Sequence, residues 1–132
     1  MEVLELGPKH TTESHESDIS SITDTKDGLT IIIDTIDEHG RQKNLKVHFS
    51  YVRGFRYLDE GDLIYYWESE KFRSPFHVYE IISGGWCNGE VIQPGILSVS
   101  EAIKLREWFV TTTNGCVNVI SNSPPTVQFV NT

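Results

Sequence analysis

The sequence predicts a mainly β fold of the α+β class, namely an antiparallel, strongly twisted sheet or partly open barrel of about six to eight strands with one or two short helices. Three observations support this prediction. Short runs rich in β-branched and aromatic residues recur along the chain, polar or glycine-containing breaks separate them, and an Asn114-Gly115 dipeptide lies near the end. The length of 132 residues fits a single domain, 1–132.

Residues 1–28 are predicted to form a mobile acidic N-terminal arm. From residue 8 to residue 28 the chain is rich in Ser, Thr, Asp and Glu, and Ile19 and Ile22 are its only large apolar residues. Such a stretch buries little apolar surface, so it is either mobile or a single short element held by the two isoleucines. The ordered domain is expected to begin near Leu29.

The clearest structural unit is a pair of strands joined by a hairpin loop. The segment Gly28–Ile36 contains many β-branched residues, which favour a strand over a helix. Residues 44–51 alternate between apolar and polar side chains, as a half-buried strand does. The sequence DEHGRQ between them contains Gly40 and is typical of a hairpin loop longer than two residues.

The middle of the chain predicts three further short strands, over residues 54–58, 63–67 and 76–82. Pro75 makes the last of them an edge strand or marks its start. Residues 83–95 contain four glycines and one proline around an isolated Trp86, which indicates a loop. Ser98 and Glu101 have the spacing of a capping box, so residues 99–105 are predicted to form one or two helical turns.

The C-terminal part predicts a second hairpin, formed by residues 107–113 and 116–121. Asn114-Gly115 would form its type I′ turn, because these residue types tolerate positive φ. Pro124 and Pro125 then precede a final strand, Thr126–Val130. No charged residue follows Glu107, so this region is expected to be central in the sheet or covered.

The net charge of −8 is concentrated in the N-terminal part of the chain. Residues 1–38 contain ten acidic residues and two lysines, whereas the remainder contains nine acidic and nine basic residues. Negative charge repels nucleic-acid phosphates and acidic lipids and attracts basic proteins. We therefore expect a protein partner and neither a nucleic acid nor a membrane. The alternative interpretation is that the acidic residues serve only to keep the protein soluble.

The chain shows no signal for secretion or for membrane insertion. Its longest purely apolar run, residues 31–33, is far shorter than the roughly 20 residues of a membrane-spanning helix. The acidic start, with Glu2 and Glu5, differs from a signal peptide. A cytoplasmic location is therefore expected, in which Cys87 and Cys116 are free thiols.

No motif typical of a catalytic, metal or cofactor site occurs in the sequence. The histidines are scattered, and neither an HExxH motif nor a paired-cysteine spacing is present, so no metal site is predicted. A P-loop and a GxGxxG turn are also absent, and no cofactor is expected. Cys87 could act as a nucleophile with His48 or His77, but no third, orienting group is evident. The chain is therefore predicted not to be an enzyme.

Aromatic residues crowd the middle third of the chain and suggest either core packing or a binding surface. They are Tyr51, Phe55, Tyr57, Tyr65, Tyr66, Trp67, Phe72 and Phe76. If residues 63–67 form a strand, one of Tyr65 and Tyr66 faces outward. An exposed aromatic surface would make the chain a non-enzymatic ligand-binding or scaffold β-module.

Two segments resemble a loosely defined group of small bacterial proteins that includes immunity proteins of polymorphic and contact-dependent toxin systems. The first is FRYLDEGDLIYYWES, residues 55–69, and the second is EWFVTTTNGCVNVISNSPPTV, residues 107–127. The second segment is similar to that group in its strand, its Asn-containing hairpin, its Val-Ile strand and the prolines that follow.

This resemblance implies a cytoplasmic inhibitor that neutralises a cognate toxin by covering its active site. The acidic charge would suit a basic toxin domain, because carboxylates can mimic substrate phosphates while aromatic side chains anchor the contact. The predicted partner-binding residues are Glu13, Glu16, Asp18, Asp24, Asp27, Tyr66 and Trp86.

Overall fold

The computed structural model describes residues 1–87 and 104–130, and within these ranges nine strands form two antiparallel sheets. The strands are β1 (Glu2–Leu6), β2 (Asp18–Thr25), β3 (Gly28–Ile36), β4 (Gln42–Phe49), β5 (Gly54–Asp59), β6 (Val78–Ser83), β7 (Arg106–Thr111), β8 (Gly115–Ser121) and β9 (Thr126–Val130). The first sheet has the order β1-β6-β7-β8-β5 and the second has the order β2-β3-β4-β9. The mainly β, antiparallel fold class is confirmed, with the strands divided between two sheets.

A hydrophobic core fills the space between the two sheets. Its buried members are Leu29, Ile31, Ile33, Leu45, Val47, Phe49, Val78, Trp108, Val110, Val117 and Val119. In each strand these residues alternate with side chains that point to the opposite face. The fold is therefore a two-layer sandwich. The residues that alternate with the core residues point to the outer face of each sheet.

The predicted hairpin of β3 and β4 is confirmed. Its register runs from Leu29 opposite Phe49 to Ile36 opposite Gln42. In the loop, the Asp37 carboxylate accepts hydrogen bonds from the backbone N–H groups of His39 and Arg41, each at 2.9 Å. Gly40 has a φ of +79°, which glycine adopts without strain.

The predicted hairpin of β7 and β8 is also confirmed, but its turn differs from the prediction. Neither Asn114 nor Gly115 has a positive φ, so the turn is not of type I′. The Thr112 hydroxyl closes the loop by donating to the Gly115 carbonyl at 2.7 Å and accepting from the Gly115 N–H at 3.0 Å. The prediction that the uncharged region is central or covered is confirmed for β8, which is buried along its whole length between β7 and β5, but not for β9, which is a partly exposed terminal strand of the second sheet.

The N-terminal segment that was predicted to be an arm contributes a strand to each sheet, which corrects that prediction. β1 pairs with β6, and β2 pairs with β3. Backbone hydrogen bonds between strands form irrespective of the side chains, so a polar strand can join a sheet. In β2, Ile19 and Ile22 also pack against the core. Two apolar residues are thus enough to dock an otherwise polar strand.

The strand predicted over residues 63–67 is wrong, because this segment forms the short helix α1 (Ile64–Glu68). A 3₁₀ turn, Glu60–Asp62, leads into it, and the Asp59 side chain accepts a hydrogen bond from the Gly61 N–H at 2.8 Å. Helical spacing places Leu63 and Tyr66 on one side, where they pack with Phe109 on the outer face of the first sheet. A strand would have directed half of these apolar side chains into solvent.

The other predicted strands, β5, β6 and β9, are present, with Pro75 just before β6. The helical turns predicted over residues 99–105 fall mostly outside the described residues, as does much of the loop predicted over 83–95. Among the described residues, no helix is long and apolar enough to cross a membrane.

Candidate functional site

Three histidines meet where the connection between β1 and β2 approaches the start of β6. His10 and His15 lie in that connection, and His77 immediately precedes β6. One ring nitrogen from each lies within 4.8 Å of those of the other two. The ring centroids are 4.4 Å apart for His10 and His77 and 5.4 Å apart for His10 and His15. The three rings therefore form one compact cluster.

Backbone hydrogen bonds hold the β1–β2 connection in place around this cluster. The His10 N–H donates to the Pro75 carbonyl, and the Thr11 N–H donates to the Ile36 carbonyl, both at 2.9 Å. Further along, the Ser17 N–H donates to the Thr113 hydroxyl at 2.9 Å, and the Thr113 N–H donates back to the Ser17 hydroxyl at 3.1 Å. The segment is thus fixed to both sheets although few of its side chains are apolar.

All three rings place Nδ1 against a main-chain carbonyl. The partners are the Thr11 carbonyl for His10 at 2.7 Å, the Glu13 carbonyl for His15 at 3.2 Å and the Thr111 carbonyl for His77 at 2.8 Å. A carbonyl oxygen only accepts hydrogen bonds, so we assign the ring proton to Nδ1 in each case. This tautomer leaves a lone pair on each Nε2.

The Thr35 hydroxyl on β3 lies between two of these Nε2 atoms. It is 2.7 Å from Nε2 of His77 and 3.3 Å from Nε2 of His15. A hydroxyl has a single proton to donate, and the shorter distance assigns it to His77. The Nε2 atom of His15 therefore faces an oxygen whose proton is already used.

Burial keeps His77 uncharged at neutral pH. The side chain is 3% exposed, and this burial lowers the pKa of His77 to about 4. The hydrogen bond to the Thr111 carbonyl acts in the opposite direction and raises the pKa. The neighbouring rings of His10 and His15 lower the His77 pKa further. Burial also lowers the pKa of His10 below its ordinary 6.5.

The cluster opens into a cleft of about 420 Å³. Glu13 and Glu60 bring carboxylates to its wall, and Arg73 brings a guanidinium. Trp67 and Phe72 add aromatic surface. Chemically, the cleft combines imidazole nitrogens with acidic and basic side chains. Imidazole nitrogens suit Zn²⁺ and related transition metals, whereas Mg²⁺ and Ca²⁺ prefer oxygen ligands.

The sequence did not reveal this cluster, because its members are far apart along the chain. Only the spacing of His10 and His15 within one polar segment offered a signal. The other two histidines lie elsewhere: His39 is exposed in the β3–β4 loop, and His48 on β4 bonds through Nδ1 to the Thr30 hydroxyl. The prediction of scattered histidines therefore needs correction for three of the five.

A second polar cluster is buried on the outer face of the first sheet around Glu107. This carboxylate is 0% exposed and accepts hydrogen bonds from the N–H groups of Trp86 at 3.1 Å and Cys87 at 2.6 Å, and from Asn118 Nδ2 at 2.8 Å. Asn118 Nδ2 also donates to the Tyr66 hydroxyl at 2.9 Å. Burial raises the pKa of Glu107, while these hydrogen bonds lower it.

The five acidic residues predicted to bind a partner are all exposed and surround one edge of the second sheet. Asp18 and Asp24 lie on the terminal strand β2, Asp27 lies in the β2–β3 turn, and Glu13 and Glu16 lie just before β2. Within the described ranges, none of the five forms an ion pair. The structure thus places all five residues on or next to one terminal strand of the second sheet.

The two aromatic residues predicted to bind a partner are placed differently. Tyr66 is 1% exposed and packs against Phe72 and Phe109, so its prediction as a surface contact is wrong. The reason is the helix α1, which turns this side chain onto the sheet. Trp86 is half-buried, and the Arg56 guanidinium lies 5.1 Å from the centre of its ring.

The other aromatic side chains of the middle third are mostly half-buried, namely Phe55, Tyr65, Trp67, Phe72 and Phe76. Only Tyr51 and Tyr57 of that set are exposed, at 46% and 54%. Of that set, Trp67, Phe72 and Phe76 line the cleft beside the three histidines.

Both cysteines are free thiols, as predicted, and both are buried. Burial raises the pKa of the Cys116 thiol, which disfavours the reactive thiolate. The Cys87 N–H is bonded to Glu107. Neither His48 nor His77 has a hydrogen bond to Cys87, since His48 bonds to Thr30 and His77 bonds to Thr35 and Thr111.

In comparisons with known proteins, no family model, no curated protein and no solved structure matches this chain.

Proposed function

We propose that this chain is an immunity-type protein that binds a basic toxin domain and blocks its active site. The observation that carries the proposal is the acidic edge, which we define as β2 with Glu13, Glu16, Asp18, Asp24 and Asp27. It combines exposed carboxylates with a strand that, among the described residues, pairs with a neighbour on one side only.

The charge of the acidic edge favours a basic partner. Exposed carboxylates attract a positively charged surface over about 8 Å at physiological salt and raise its rate of encounter. Asp18 also accepts a hydrogen bond from Asn114 Nδ2 at 2.7 Å, which fixes one carboxylate relative to the β7–β8 turn. The partner would thus meet a patch with both charge and a defined shape.

The side of β2 that no described strand occupies offers backbone hydrogen-bonding groups to the same partner. A sheet edge can accept an extended segment of another protein as an additional strand. Like charges on two copies of β2 oppose pairing of this chain with itself. A segment rich in Lys or Arg meets no such repulsion. Inhibition would follow from exclusion, with carboxylates occupying positions that substrate phosphates would take.

The first test is genetic. The gene adjacent to this one should encode a large secreted protein with a variable C-terminal toxin domain, and co-expression of this chain should restore growth of cells that produce that domain. An unrelated metabolic neighbour, or growth arrest that this chain does not relieve, would count against the proposal.

A second test distinguishes the effect of the acidic edge on association from the effect of net charge. Asp24→Lys with Asp27→Lys should slow association with the toxin domain by at least about tenfold at low salt, and the wild-type rate should fall as ionic strength rises. The control, Asp62→Lys with Glu68→Lys, changes the net charge equally at two exposed positions, one at the end of the 3₁₀ turn and one at the end of α1. Equal slowing by both variants would show that only net charge matters.

A further inference from the structure

We propose that His10, His15 and His77 bind one divalent transition-metal ion of the Zn²⁺ class, with a fourth coordination position open to the cleft. This site shares Glu13 with the acidic edge, but the proposal does not depend on the proposed function.

The distances suit such an ion after a small adjustment. Zn²⁺ binds imidazole nitrogen at 2.0–2.1 Å, so three nitrogens in tetrahedral positions lie about 3.3 Å apart. The three ring nitrogens here lie within 4.8 Å of one another. His77 is fixed by burial, whereas His10 and His15 are half-buried and can rotate inward. Closing the remaining gap needs side-chain movement only.

The orientation of the rings is the stronger argument. Metal-binding histidines donate their second ring N–H to a carbonyl, a carboxylate or water, which sets the tautomer and aims the other nitrogen at the metal. All three rings place Nδ1 against a main-chain carbonyl, namely that of Thr11, Glu13 or Thr111. His48, outside the cluster, bonds through Nδ1 to a hydroxyl instead. The outer shell of a metal site is thus already assembled.

The Thr35 hydroxyl connects two of the three rings. It bridges Nε2 of His77 and Nε2 of His15 at 2.7 and 3.3 Å, but its one proton can satisfy only one of them. A cation accepts lone pairs from both. Rotation of the Thr35 side chain about its Cα–Cβ bond would move the hydroxyl away and leave both nitrogens available to the cation.

The surroundings define the class of ion and the openness of the site. Three nitrogen ligands favour Zn²⁺, Cu²⁺, Ni²⁺ or Co²⁺ over Mg²⁺ and Ca²⁺. The carboxylates of Glu13 and Glu60 line the same cleft and favour a cation there, and the Arg73 guanidinium is paired with Glu70 at 3.3 Å. Three protein ligands beside an open cleft leave a position for water or an anion, as in open zinc sites.

The direct test is titration of the full chain, stripped with EDTA, with Zn²⁺ at pH 7.5 in a calorimeter. One equivalent should bind. His10→Gln and His15→Gln should each weaken binding by more than the about 10- to 100-fold that loss of an outer-shell partner causes. His39→Gln and His48→Gln are matched controls and should leave the affinity unchanged. Mg²⁺ should not bind at this site.

Circular dichroism first confirms that each variant folds, so that a lost site is not mistaken for a lost fold. X-ray absorption at the zinc edge of the wild-type complex should show three imidazole ligands, and this measurement needs no variant. Absence of Zn²⁺ binding, a folded His10→Gln or His15→Gln variant with wild-type affinity, or fewer than three imidazoles would each overturn the proposal. The histidines would then be a hydrogen-bonded structural cluster.

Discussion

The histidine cluster and the Glu107 cluster bury polar groups in opposite ways. Glu107 is fully enclosed, and its oxygens accept three hydrogen bonds from groups of the same chain. The three histidines place Nδ1 against main-chain carbonyls, but the Nε2 atoms of His15 and His77 share one threonine hydroxyl beside an open cleft. A polar cluster with all its partners inside the chain stabilises the fold, whereas one with spare lone pairs beside a cleft is suited to bind a ligand.

The Glu107 cluster joins the segment after β6 to the first sheet. The carboxylate holds the N–H groups of Trp86 and Cys87, and Asn118 connects it to Tyr66 of α1. Arg56 donates to both the Asn118 side-chain oxygen at 3.1 Å and the Tyr66 hydroxyl at 3.2 Å. One acidic side chain therefore organises the helix and the segment that together cover the outer face.

The largest expected effect is the loss of stability on removing this carboxylate. Glu107→Ala leaves two buried N–H groups and one amide hydrogen without their acceptor, which should reduce the free energy of unfolding by about 3 to 5 kcal/mol. Glu80→Ala is a matched control on the neighbouring strand, because its partly exposed pair with Arg106 should contribute about 1 kcal/mol. Urea unfolding measures both. Equal losses in the two variants would contradict a special role of Glu107.

Acid should destabilise the histidine cluster. The folded-state pKa of His77 is about 4 and its ordinary value is 6.5, so the unfolded chain binds the proton more readily. The stability that neutral His77 contributes is complete above about pH 7.5 and is lost as the pH falls through 6.5 towards 4. At pH 5 this loss should be about 2 kcal/mol.

This pH dependence is measured by urea unfolding in EDTA between pH 7.5 and pH 5. His77→Gln cannot take up the proton, so its stability should change less over the same interval than that of the wild type. The free energies of unfolding of the two proteins should differ least at pH 5. Parallel pH curves for the two proteins would show that protonation of His77 is not linked to unfolding.

The sequence predicted the fold better than it predicted the histidine cluster. Strands β3 and β4 were recognisable because their side chains alternate or are β-branched, which is a local property. Helix α1 was missed because LIYYW is aromatic and short, and only the sheet beneath it decides between helix and strand. The histidine cluster depends on backbone bonds of His10 to Pro75 and of Thr11 to Ile36, which join distant segments and leave no local pattern.

The smallest expected effect concerns the close approach of Gly85 to Glu107. A Cβ atom at Gly85 would lie 2.8 Å from Glu107 Oε2 and 2.8 Å from Ile81 Cγ2, so Gly85→Ala should push the segment away from the carboxylate and cost about 1 to 2 kcal/mol. Gly54→Ala is the control, because nothing lies within 4 Å of its Cβ position. Urea unfolding compares the two variants, and Zn²⁺ titration of Gly85→Ala should match the wild type if the two clusters act independently. A changed Zn²⁺ affinity would show instead that the clusters are coupled through β6 and β7.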